Sequence, residues 1–96
     1  MKGLSRHASA QEEAFEEAGV RGVICDIPLG SYRYHKILNS GLARLTRVDV
    51  FALAVAEELD DWPERSQRSR RWFTQAEAAK AVDEPDLHDL LLGFRL

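Results

Sequence analysis

ASAQEEAFEEAGV, running from Ala8 to Val20, decides how the rest of the chain is read. On a helix of about 3.6 residues per turn, Glu13, Glu16 and Glu17 share one narrow arc, Glu12 sits at its edge, and Ala14, Phe15 and Ala18 point away. The spacing predicts a helix with an acidic face and an apolar face, stopped at Gly19. Carboxylates at i,i+3 and i,i+4 repel by roughly 0.2–0.5 kcal/mol per pair in an isolated helix, so the face gains from any cation that neutralises it. A solvated acidic face is the ordinary outcome, because Glu is a good helix former. A hard divalent metal is another way to offset the repulsion.

The surrounding composition is that of an ordinary globular protein. Ninety-six residues suffice for one small domain with a core. A content of 45% hydrophobic and 30% charged residues with a net charge of −3 lacks the basic balance that a nucleic-acid polymer would require. No apolar run approaches the ~20 residues of a membrane span, and MKGLSRHASA lacks the apolar centre of a signal peptide. The expectation is a cytoplasmic protein with no membrane partner. Cys25, the single cysteine, has no internal disulfide partner and lies in an apolar run, so it is expected in the core.

In chain order, Ser5 or Ser9 is the expected N-cap of the acidic helix. Val20 to Gly30 is rich in β-branched residues and closes on a Pro/Gly turn, which predicts a strand. Ser31 to Leu38 predicts a second strand, with Tyr32, Tyr34 and Lys36 on one face and Arg33, His35 and Ile37 on the other. These two strands are expected to pair as a hairpin. After the turn Asn39-Ser40-Gly41, Leu45 to Leu59 carries the strongest strand signal and is expected to lie centrally in the sheet. Residues 60–69 read as an exposed loop broken by Pro63, and Arg70 to Phe73 as a short strand. Thr74 and Glu77 have capping-box spacing for a helix Gln75 to Val82. Pro85 suits the first turn of a last helix with the stripe Leu87, Leu90, Leu91 and Phe94.

Glu12-Glu13-Ala14-Phe15-Glu16-Glu17-Ala18-Gly19-Val20 resembles the second half of the Nudix box, Arg-Glu-apolar-any-Glu-Glu-any-Gly-apolar, which closes a loop-helix-loop that holds magnesium against a diphosphate. Eight of the nine positions agree in character, and Glu12 stands where the family has arginine. Trp62-Pro63-Glu64 through Trp72-Phe73, followed by Thr74-Gln75-Ala76-Glu77-Ala78, is similar to the branch containing the diphosphoinositol-polyphosphate phosphohydrolases, where an Arg-x-Trp-Phe segment precedes a Glu-Ala-rich helix. Counting back along the pattern puts the first glutamate of the box at Leu4 and its first glycine upstream of Met1. The resemblance therefore implies a single Nudix-like domain over residues 1–96 that lacks the N-terminal strands and the first part of the box. Its fold would be α+β, a mixed sheet packed by the Nudix helix and the C-terminal helices.

The activity so implied is a pyrophosphohydrolase cleaving an X-linked diphosphate, nucleoside or inositol, with Mg²⁺ or Mn²⁺. Glu13, Glu16 and Glu17 match the box glutamates that serve as metal ligands and catalytic residues, Glu16 and Glu17 chiefly as ligands and Glu13 as ligand or base. Glu64 is a candidate outside base. Arg33, His35, Lys36 and Arg70 are candidate substrate contacts, and Arg65, Arg68 and Arg71 share the later basic stretch; solvated arginines and a packed histidine are the ordinary alternatives. In the family the box arginine orients the glutamates, so Lys2, Arg6 or His7 would have to supply that charge here. Absent upstream strands would leave a sheet edge and part of an apolar face bare, which predicts a homodimer. A Nudix-like module that binds a nucleotide or protein without catalysis is the alternative function.

Overall fold

The computed structural model describes residues 5–95; Lys2 and Leu4 lie outside the described residues. The architecture is α+β, as expected, in the order α1 (Arg6–Ala18), β1 (Val20–Ile24), β2 (Gly30–Ile37), β3 (Ala43–Val50), β4 (Leu53–Glu58), α2 (Gln75–Ala81) and α3 (Pro85–Gly93). The chain divides into two compact units, one from the described part of Met1–Pro28 with Phe51–Trp72, the other from Leu29–Val50 with the described part of Phe73–Leu96.

In the first unit the Ser5 hydroxyl accepts from the Ala8 N–H at 3.3 Å and starts α1. Gly19 stops it with φ 65°, a left-handed conformation that suits a residue without Cβ. α1 packs on β1, where the Arg21 guanidinium lies 4.6 Å from the centroid of the Phe15 ring and the Gln11 amide donates to the Gly22 carbonyl at 3.1 Å. β1 pairs antiparallel with β4, Val20 opposite Glu58 and Ile24 opposite Leu53, with a register irregularity at Arg21/Gly22.

In the second unit β2 and β3 form an antiparallel hairpin, Gly30 opposite Val50 and Ile37 opposite Ala43. Its turn is closed by bonds from Leu38 N–H to the Leu42 carbonyl and from Gly41 N–H to the Leu38 carbonyl, with Gly41 at φ 86°. α2 opens with the expected capping box between Thr74 and Glu77, and Pro85 occupies the first turn of α3. Helix α2 packs on α3 and α3 on β2. The Gln75 amide donates to the carbonyls of Leu91, Leu92 and Phe94, tying the end of α3 to the start of α2. Ala79 is the one fully buried hydrophobic residue among the described residues.

Four expectations need correction. The segment 20–30 does not pair with 31–38; β1 ends at Ile24, and residues 25–29, with Pro28 lacking an N–H, lead the chain out of that ladder. The predicted strand Leu45 to Leu59 is two strands with different partners, because pairing switches at Phe51-Ala52. Val50 accepts from the Leu29 N–H and Ala52 from the Cys25 N–H, so the described strands form two two-stranded antiparallel ladders, with no central strand. Arg70 to Phe73 forms no strand; the Arg70 guanidinium donates to carbonyls at the end of α1 and the Trp72 indole to Glu58 Oε1 at 2.9 Å instead. Cys25 is exposed rather than core, since it follows the last residue of β1.

Candidate functional site

The acidic face forms where the spacing placed it. Glu12 and Glu13 are exposed on α1, and Glu16 and Glu17 are partly covered. Helix ends leave their last carbonyls without helical partners, and here the returning segment 59–70 supplies them one by one. The Glu16 carbonyl accepts from the Glu64 N–H at 3.0 Å and the Gly19 carbonyl from the Leu59 N–H at 2.8 Å. The Glu17 carbonyl accepts from the Trp62 indole at 3.0 Å. Arg70 Nη1 donates to the carbonyls of Ala18 at 3.0 Å and Gly19 at 3.2 Å, while its guanidinium carbon lies 4.3 Å from the Trp62 ring centroid. A cation at a helix C-terminus also complements the helix dipole. Trp62 closes the assembly over Gly19, where an added Cβ would come within 2.6 Å of its ring.

Arg68 links this loop to the acidic face. Its Nη1 lies 3.2 Å from Glu17 Oε1 and its Nε 2.7 Å from Glu64 Oε1. The hydrogen bond to Glu64, with the charge of Glu17 beside it, raises the Arg68 pKa above its already high ordinary value, so the bridge stays cationic at any usual pH.

The expected substrate contacts fall in both units. Arg70 belongs to the first, where its guanidinium has the helix carbonyls as partners and Glu58 Oε1 at 3.9 Å. Arg33, His35 and Lys36 are exposed on β2 in the second. Arg33 stands opposite Arg47 and Lys36 opposite Arg44, like-charged cross-strand pairs that cost stability unless an anion offsets them. Of the cations suggested as replacements for the box arginine, Arg6 is exposed in the first turn of α1, and the ring of His7 packs edge-on against Phe51 with centroids 6.3 Å apart. A pocket of about 440 Å³ in the first unit is lined by Asp61, Trp62, Pro63, Arg65 and Ser66, and by none of the three glutamates.

Comparison with known proteins shows the family of the chain. Nudix hydrolase 12, mitochondrial, of Arabidopsis thaliana is 42% identical over 73 residues, covering 73% of this chain and 36% of its own length. The corresponding figures are 39% over 90 residues, 90% and 49%, for Nudix hydrolase 16, mitochondrial, of the same plant, and 33% over 94 residues, 94% and 42%, for Nudix hydrolase 4. The chain belongs to the Nudix hydrolase family. It spans less than half the length of each of these relatives. No family model matches it, and no solved structure does.

In this Nudix chain the donor set suits a hard divalent cation: three carboxylates at i, i+3 and i+4 offer oxygen ligands from one helix face. Glu17 already holds a cation, the guanidinium of Arg68. The side chains are not yet gathered, since among the described residues no three acidic, histidine or cysteine groups converge on a point that could hold a metal. Helical spacing thus shows which carboxylates share a face but not the parts that hold the end of the helix. Trp62 and the backbone of Glu64 were missed, and the available signal was a tryptophan within an otherwise polar loop.

Proposed function

We propose that the chain carries the metal-binding helix of a Nudix-type pyrophosphohydrolase acting on an X-linked diphosphate of nucleoside or inositol type. The observation that carries this reading is the glutamate face of α1 closed by the Trp62–Arg70 clamp, in a chain whose curated relatives are Nudix hydrolases. A divalent ion, Mg²⁺ or Mn²⁺, supplies charge neutralisation on phosphoryl oxygens and a bound water of lowered pKa. Glu16 and Glu17 are the principal ligands in this proposal, Glu13 is a ligand or base, and Glu64 is a base delivered by the loop. Arg33, His35 and Lys36, exposed on β2, are kept as candidate substrate contacts. Arg70 works through the helix it caps, as a positioning residue. All of these residues form one Nudix-like domain in this reading.

A phosphate-release screen with Mg²⁺ or Mn²⁺ over nucleoside diphosphate derivatives, diadenosine polyphosphates and inositol pyrophosphates tests the activity, run on this chain and on a form extended upstream of Met1. Release that disappears in Glu16→Gln/Glu17→Gln is the expected result; no release from either form, or release that persists in the double variant, counts against it. A second reading, a Nudix-like module that binds without catalysis, is favoured by Glu12 at the arginine position and by the ungathered carboxylates. It predicts ligand binding without turnover in the same screen.

A further inference from the structure

Arg68 bonds two carboxylates at once, and both bonds go to single oxygens, Glu17 Oε1 and Glu64 Oε1. The loop that carries it is anchored on the same helix. Glu64 N–H donates to the Glu16 carbonyl, and Trp62 and Arg70 bind the next two. The guanidinium is therefore delivered to the acidic face from a held backbone, while its own side chain is 49% exposed and has water to turn into. Among the described residues Glu12, Glu13 and Glu16 form no ion pair. Arg68 is thus directed at one of the two glutamates read as principal ligands.

We propose that Arg68 is a tethered counter-ion, holding Glu17 in the metal-free chain and leaving it when a divalent cation binds, so that Arg68 sets the affinity of the helix for the ion. The inference rests on the reading of Glu17 as a ligand. Two effects of Arg68 oppose each other. It orients Glu17, which favours an incoming ion, and it places a positive charge beside the position where the ion's double charge must sit, which disfavours it. Orienting a partly exposed side chain through one ion pair is worth little, whereas a single and a double positive charge a few ångströms apart repel substantially even in water-like surroundings. Repulsion decides the sign. Glu64, four residues before Arg68, keeps its bond to the displaced guanidinium, so release from Glu17 is a short swing within the loop.

The test is calorimetric titration of Mn²⁺ into the wild-type chain, Arg68→Gln and Arg68→Lys, with folding checked by circular dichroism. The neutral variant is expected to bind Mn²⁺ about three- to tenfold more tightly than wild type, and the charge-preserving variant to stay within about twofold of it. In parallel, the Nη–H signals of Arg68 in a nitrogen-15 spectrum are expected to move toward those of an unpaired arginine as Mg²⁺ saturates the chain, while the Nε–H stays on Glu64. Equal affinities in wild type and Arg68→Gln, or Arg68 Nη–H signals unmoved by saturating Mg²⁺, would overturn the exchange while leaving metal binding intact. Absence of binding in all three chains would overturn the metal reading, and the exchange with it.

Discussion

At the residue scale the two arginines of the loop divide the work. Arg70 serves backbone, with two bonds to α1 carbonyls and its guanidinium over Trp62, whereas Arg68 serves side chains, on Glu17 and Glu64. Arg70→Ala leaves the Ala18 carbonyl without its donor and removes a charge-assisted bond from a partly covered site, so unfolding in urea is expected to show a loss of ~1–3 kcal/mol. A midpoint unchanged from wild type would deny Arg70 its capping role. The identity of the acidic residues was fully legible in the sequence, because periodicity assigns faces of a helix from spacing alone. The role of Arg70 was not, because its partners lie more than fifty positions back along the chain, and no local pattern reports such a contact. Glu12 shows the same limit: the sequence shows that the box arginine is absent, but not that a cation reaches Glu17 from the loop.

At the scale of elements, signals written into a few consecutive residues were read correctly. The Ser5 cap, the Gly19 stop, the turn at 39–41 and the Thr74–Glu77 box all appear, each a local hydrogen-bond pattern. Thr74→Ala removes the acceptor of the Glu77 N–H and is expected to cost about 1 kcal/mol, measurable as a lower thermal midpoint with reduced helicity; retention of both would show that α3 alone maintains α2. Strand pairing was where the reading failed. Residues 43–58 have the β-rich content of one strand, yet their backbone serves β2 and then β1. Hydrophobic content reports that a strand exists, while the partner is set by chain connections that content does not encode.

At the scale of the molecule, the described residues hide little apolar surface. Val23 is 74% exposed, Ile37 70% and Leu42 69%. Exposed apolar side chains on strands and a hairpin tip favour association in general, and we propose on that ground alone that the chain forms a homodimer. Light scattering across micromolar concentrations is expected to give the mass of two chains, and a monomer mass throughout that range counts against it. The central claim remains the carboxylate face of α1 as a metal site, and titration of Mn²⁺ into the wild-type chain and into Glu16→Gln/Glu17→Gln tests it most directly. Saturable binding in wild type that is lost in the double variant is the predicted result; no binding in wild type, or equal binding in both, would contradict it.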